Sequence, residues 1–240
     1  KVVRLSLANL ETNARSIIQY LMINSSDRSI QSLPLSYSYG LSLLNSHLIA
    51  GATTILTKHS FMLPEFWKVF DEYACTSFSG VPYIYEVLHR LKYDLGKHKS
   101  LRYCTQAGGA LAPNLIKYFA NQLEKKGKKF FIMYGQTEAT ARISYVPPDK
   151  LIEKLGSIGL PIPGGSLDLI PLEEDISLSQ LRYTGPNVML GYAENRSDLA
   201  KGDEMGGVLL TGDLARVDDE GYYYLLGRLK RFAKLFGRRI

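Results

Sequence analysis

The chain has 240 residues and a mass of 26.9 kDa, room for one large or two modest domains, and at 45% apolar it can bury a substantial core. Its formal charge is +6, but Arg228, Lys230, Arg231, Lys234, Arg238 and Arg239 fall in the last fourteen positions, which hold no acid. The remainder is neutral, so no basic face is expected for nucleic acid or an acidic membrane.

Taken in order, Leu10, Ala14, Ile17, Ile18 and Leu21 recur at helical spacing after Asn9, which is expected to cap that helix. Ser29 to Leu35 reads as a short strand and Ser36 to Gly40 as a polar, aromatic loop before a buried helix to about Ala50. Ala52 to Thr57 is β-branched strand material, and Pro64 opens a helix with Phe66, Trp67, Phe70, Tyr73 and Ala74 on one face. Thr76 to Gly80 is a strand leading to a helix near Pro82. Leu101 to Gln106 is the next strand, and Pro113 opens a helix stopped by Gly127. The apolar run Phe130 to Met133 is then a buried strand ending at Tyr134. This alternation predicts an α/β fold with a doubly wound, largely parallel sheet over residues 1–155.

After Leu155, Gly156, Gly159, Pro161, Pro163, Gly164 and Gly165 punctuate the chain. Short alternating runs follow at Ser166 to Ile170, Gln180 to Thr184, Gly207 to Leu210, Ala215 to Asp218 and Tyr222 to Leu226, with a hairpin signal at Asp219-Glu220-Gly221. Residues 156–228 are expected to form a small antiparallel, barrel-like β unit appended to the sheet.

Cys75 and Cys104 are too few for a disulfide scaffold and too far apart for a metal knuckle, and they suit a reducing, cytoplasmic setting. His47, His59, His89 and His98 lack metal-ligand spacing. No apolar run approaches the ~20 residues of a bilayer span. The chain opens without a methionine and is expected to come from the interior of a longer protein.

Four loops combine glycine with polar groups. In Tyr134-Gly135-Gln136-Thr137-Glu138-Ala139-Thr140 a hydroxyl beside a carboxylate, at the C-terminal edge of a strand, suits a phosphate with its magnesium; a plain polar loop is the alternative. Pro34 to Gly40 walls a substrate pocket or simply turns strand into helix. Gln106 to Ala110 either admits a flat ligand to the backbone beside Gly108 and Gly109, or is a tight connection. Leu210 to Leu214 sets Asp213 just after a strand, where it accepts both hydroxyls of a ribose or merely closes a β-turn. Each pattern is weak singly, and their joint order is specific.

Together these stretches resemble the adenylate-forming (AMP-binding) enzymes: acyl- and aryl-CoA synthetases, peptide-synthetase adenylation domains and firefly-type luciferases. Tyr134 to Thr140 is similar to the family's Tyr-Gly-x-Thr-Glu core, and Thr211-Gly212-Asp213 to its Thr-Gly-Asp. Gly185-Pro186-Asn187-Val188-Met189 with Gly191-Tyr192, and Gly227-Arg228 with Lys230, also match. The resemblance implies ATP-dependent activation of a small carboxylic acid to an acyl-adenylate, with release of pyrophosphate and transfer to the CoA thiol. By similarity, Thr137 contacts phosphate, Glu138 holds Mg2+, Tyr134 stacks on adenine beside Gly135, and Gly108, Gly109 and Ala110 line the adenine slot. Asp213 binds the ribose of ATP or AMP with help from Arg228, and Lys230 marks a hinge to a C-terminal domain, with residues 229–240 as its start.

Two departures bear on activity. Lys1 is read as the last lysine of a phosphate loop that is otherwise absent, and the catalytic C-terminal domain is expected to be missing, so the fragment alone is expected to be inactive. Pro34-x-x-Tyr37-x-x-Gly40 resembles the Pro-x-x-His-x-x-Gly of acyl-CoA synthetases, with Tyr37 at the histidine position. No aspartate lies between Arg28 and Asp71 to pair a substrate ammonium, which favours an acyl or aryl acid over an amino acid. A module that loads a carrier-protein thiol and a non-catalytic nucleotide-binding relative stay open as alternatives.

Overall fold

The computed structural model describes residues 2–173, 175–229, 234–235 and 238–239. Lys1 and Lys230, two of the expected functional lysines, lie outside them.

The first half alternates strand and helix: β1 (Val2–Arg4), α1 (Leu7–Leu21), β2 (Arg28–Ile30), α2 (Ser38–Ile49), β3 (Thr53–Ile55), α3 (Pro64–Glu72), β4 (Ser77–Gly80), α4 (Pro82–Arg90), β5 (Tyr103–Gln106), α5 (Pro113–Glu124) and β6 (Lys129–Tyr134). Then come β7 (Ser144–Val146), β8 (Ser157–Pro161), β9 (Ser166–Leu172), β10 (Asp175–Thr184), β11 (Gly191–Ala193), β12 (Val208–Val217) and β13 (Tyr223–Arg228). Among the described residues, eleven strands form one sheet in the order β3-β2-β4-β5-β6-β7-β8-β13-β12-β10-β9. It is parallel from β3 to β6 and antiparallel beyond. The expected α/β sheet with an antiparallel β unit is therefore present, and β8 joins the two, pairing with β7 at Leu160 and Pro161 and with β13 at Ser157 and Gly159.

Successive residues of a strand point to opposite faces, and β6 uses this to build two cores. Phe130 packs against Tyr85 of α4 and Phe119 of α5, while its neighbour Phe131 meets Tyr20 of α1 and Tyr103 of β5. Both β6 phenylalanines are buried, as are Tyr85 and Phe119. Helices thus cover both faces of the parallel strands, and the strands' C-terminal ends stay open.

Local structure corrects three expectations. Ser6, not Asn9, caps α1: the Ser6 hydroxyl accepts from Asn9 N at 3.0 Å, and Asn9 Oδ1 accepts from Ser6 N at 2.8 Å. Asn9 fills the third helical position of a capping box, where a short side chain that accepts hydrogen bonds can reach back. Next, β2 stops at Ile30: Gln31 N makes one more bond to Ile55 O at 2.9 Å, and the Gln31 side-chain amide donates to Leu33 O at 2.5 Å in the loop that follows. Finally, Gly207 to Leu210 and Ala215 to Asp218 are not separate strands. β12 runs through Thr211-Gly212-Asp213 with a register shift after Leu214, so Asp213 sits within a strand opposite Arg228.

Candidate functional site

The four glycine-bearing loops converge at the C-terminal edge of the parallel strands. The Tyr37 hydroxyl packs on Gly108, whose φ of +85° favours glycine and whose missing Cβ leaves room for that hydroxyl. Thr137 Oγ1 donates to Ser38 Oγ at 3.4 Å, and Gln136 Nε2 donates to Thr211 O at 3.4 Å. Gly135 lies so close to the Ala141 carbonyl that a Cβ there would collide with it. Gly108, Gly109 and Ala110 face solvent, whereas Gly40 is buried in the first turn of α2.

Asp213 lies at the centre and is 3% exposed. Its Oδ2 accepts from the Tyr134 hydroxyl at 2.5 Å and its Oδ1 from Arg228 Nε at 2.8 Å. Burial, reinforced by the Asp213 charge, pushes the Tyr134 hydroxyl far above its ordinary pKa, so it stays a donor. A carboxylate offers about four lone-pair sites. Two are taken by these protein donors, which fix the carboxylate's orientation.

Thr137 and Glu138 start a short 3₁₀ turn, Thr137–Ala139. Thr137 is exposed and Glu138 half-buried, so both reach the open edge. Thr140 closes the turn at φ +65°, a costly conformation for a β-branched residue, and its hydroxyl donates to Asn187 O at 2.7 Å. Asn187 holds this geometry from the other side. Its Nδ2 donates to Ala139 O at 2.8 Å and to Arg142 O at 3.0 Å, and its Oδ1 accepts from the Tyr183 hydroxyl at 2.7 Å. Met189 N donates to Glu138 O at 2.8 Å, and the Tyr192 hydroxyl donates to Glu138 Oε1 at 2.8 Å. Burial, then the Glu138 contact, pushes the Tyr192 hydroxyl up to about 12, so this donor too stays protonated near neutral pH.

The donor set fits magnesium carried by a phosphate better than a metal held by protein alone. Among the described residues no group of three or more His, Cys, Asp or Glu could hold a metal ion, and Glu138 stands as a single carboxylate beside the Thr137 hydroxyl. Magnesium commonly takes one or two carboxylates and completes its shell with phosphate oxygens and water. A cavity of about 140 Å³ adjoins Thr137, between α1 and α2, lined by Leu10, Asn13, Ser38, Ser42 and Thr140 among others.

Sequence reasoning brought Tyr37, Gly108, Tyr134, Gly135, Thr137, Glu138, Asp213 and Arg228 to one edge, where the structure also places them. It gave no role to Asn187 or Tyr192, although both stand in the Gly185 to Tyr192 stretch singled out for resemblance. It did not single out Arg142 at all.

Comparison with known proteins identifies the family to which the chain belongs. The model of the AMP-binding enzyme family matches residues 1–193. The chain is 28% identical to oxalate–CoA ligase of Arabidopsis thaliana over 100% of its own length and 48% of that protein. It is 30% identical to 2-succinylbenzoate–CoA ligase of Bacillus subtilis over 95% of its length and 46% of that protein. O-succinylbenzoate coenzyme A synthetase from Bacillus subtilis, solved in complex with ATP and magnesium ion, superposes with a TM-score of 0.82 at 28% identity, covering 99% of this chain and 49% of that one. The chain thus spans about half the length of the relatives it matches. It belongs to the AMP-binding enzyme family.

Proposed function

We propose that this chain forms the nucleotide-binding and acid-binding part of a ligase that activates a carboxylic acid with ATP and passes the acyl group to the thiol of CoA. The observation that carries this reading is Asp213, buried and oriented by Arg228 and by Tyr134, the residue that opens the loop bearing Thr137 and Glu138. In the reaction a carboxylate oxygen of the acid attacks the α-phosphorus, the bond to the β-phosphate oxygen breaks, and pyrophosphate leaves. The chain contributes positioning and charge complementarity. Asp213 anchors the ribose, the backbone at Gly108, Gly109 and Ala110 admits the flat base beside Tyr134, and the Thr137 hydroxyl donates to a phosphate oxygen. Glu138, held by Met189 N and the Tyr192 hydroxyl, is oriented to take magnesium, which when bound neutralises phosphate charge. Tyr37 and the first turn of α2, including Gly40, wall the acid side. CoA as acceptor is supported by the names of the relatives, which are CoA ligases.

The test is acid-dependent exchange of labelled pyrophosphate into ATP, run with the longest product of the gene that contains this chain. The expected result is exchange that requires both an acid and Mg2+, and that falls at least about tenfold in Glu138→Gln, the equivalent of ~1.4 kcal/mol. Exchange indifferent to added acid, or cleavage of ATP to ADP, would overturn the reading.

A further inference from the structure

Outside the last fourteen residues positive and negative charges balance, but the fold does not spread them evenly. Residues 90–129 hold ten basic side chains and only two acidic ones, Asp94 and Glu124. Helices α1 to α5 each lead into a parallel strand, so all five end at the edge where those strands begin, opposite the site loops. At that edge Lys92, Lys97 and Lys99 follow α4, and Lys125, Lys126 and Lys129 follow α5; all six are exposed. Most acids nearby are already engaged. Asp27 pairs with Arg102, Asp71 with His98, and Asp94 accepts from Gly96 N at 2.8 Å. That leaves Glu72 and Glu124 against six lysines that have no ion pair among the described residues. Cations beside the last turn of a helix offset its dipole, which accounts at most for Lys92, Lys125 and Lys126. Lys97, Lys99 and Lys129 lie beyond that range.

The same edge exposes apolar side chains. Met22 ends α1 and is 62% exposed, while Tyr73 and Leu91 end α3 and α4 and are 45% and 59% exposed. Ile49 closes α2 with Leu48 before it, and both are exposed. The Met22 carbonyl accepts from Arg102 Nη2 at 3.4 Å and the Tyr73 carbonyl from Arg28 Nη1 at 3.3 Å, so apolar and basic side chains stand together on one rim. A nucleic-acid backbone would engage the lysines and leave these apolar groups idle. An anionic bilayer takes both: ammonium groups meet lipid phosphate and carboxylate, and Met22, Leu91 and Ile49 reach the acyl boundary. No helix of the described residues is long and apolar enough to cross a membrane, so the contact is with a surface. We propose that this edge docks on an anionic lipid surface, with the nucleotide-binding edge turned to water. Docking of this kind does not depend on the reaction proposed above.

The test is co-sedimentation of the longest product of the gene that contains this chain with two kinds of vesicle, at low and high salt. One kind is phosphatidylcholine alone, and the other has phosphatidylserine as about a third of its lipid. Binding is expected to the anionic vesicles only, and to weaken as salt rises. A lysine near an anionic surface contributes about fivefold in affinity, so Lys97→Gln, Lys99→Gln and Lys129→Gln together should weaken binding at least about tenfold. Leu91→Ser should weaken it too, and by a similar factor at both salt concentrations. Both variants should melt like wild type and keep its AMP affinity, because the substituted side chains are exposed and lie at the opposite edge from the site loops. Equal binding to both vesicles, binding to neither, or undiminished binding by the triple lysine variant would overturn the proposal. So would tight binding to a DNA or RNA duplex with no loss of vesicle binding in Leu91→Ser, which would assign the lysines to nucleic acid.

Discussion

Asp213→Asn is the sharpest perturbation of the nucleotide site, because it changes charge and acceptor count at nearly constant volume. In the native site Oδ1 serves Arg228 and Oδ2 serves Tyr134, leaving one free lone-pair site on each oxygen. In the variant, the side-chain oxygen must face Arg228, which can only donate. The new NH₂ then faces Tyr134, whose hydroxyl has to turn and accept. One ribose hydroxyl loses its acceptor and the other keeps a neutral one. Hydrogen bonds to a charged group contribute about 1.5–3 kcal/mol, so AMP affinity should fall about ten- to 150-fold. Arg228 is 54% exposed, so water compensates its lost ion pair and the fold should persist. The assay is calorimetric titration of wild type and variant with AMP and with 2′-deoxy-AMP. Wild type should prefer AMP by about tenfold, as one lost hydrogen bond to a carboxylate predicts, and the variant should show little preference. Unchanged AMP affinity in the variant, or a wild type that binds AMP and 2′-deoxy-AMP alike, would refute the assignment of Asp213 to the ribose.

Other sites give independent checks. Tyr192→Phe removes the 2.8 Å donor to Glu138 and should weaken the Mg2+ dependence of ATP binding about three- to tenfold, leaving Mg2+-free AMP binding unchanged in titrations. Gly108→Ala should destabilise the chain by about 1–3 kcal/mol in denaturant unfolding, from positive φ plus collision with the Tyr37 hydroxyl. Adding Tyr37→Phe should recover only the collision part of that loss. For pH, burial holds His98 below its ordinary pKa, with Lys97 and Lys128 adding to the shift and Asp71 on Nδ1 opposing it; Tyr93 faces Nε2 and Trp67 the ring. The unfolded chain therefore binds more protons than the native one. The stability this contributes is fully present above the ordinary histidine pKa of about 6.5 and is lost as pH falls through the folded value. Melting between about pH 7.5 and 5 should show that decline in wild type and a shallower one in His98→Gln.

The parallel half was legible because its signals are local. The apolar run into Tyr134, the prolines at Pro64, Pro82 and Pro113, and the Gly127 stop each act within a few residues. The site loops were legible for a related reason, since each follows a strand and carries its chemistry in consecutive positions. What escaped depends on partners distant in sequence. Asn187 looks like a turn residue until Ala139, Arg142 and Tyr183 are seen around it. Arg142 looks like any surface cation until Tyr20 and Tyr39 enclose it. The merging of two short runs into β12 depends on pairing with β10 and β13, whose register shifts let the strand continue past Gly212. Ser6 and Asn9 are both competent caps by type, and only the reciprocal geometry decides between them.

The central claim is that one edge of the sheet holds nucleotide and acid side by side. Titration of this chain with a non-hydrolysable acyl sulfamate of adenosine, which joins both halves as the adenylate does, tests it most directly. A linked ligand bears the association cost once, so it should bind at least about a hundredfold more tightly than AMP and be displaced by AMP competitively. Binding no tighter than AMP, or failure of AMP to compete, would contradict the account.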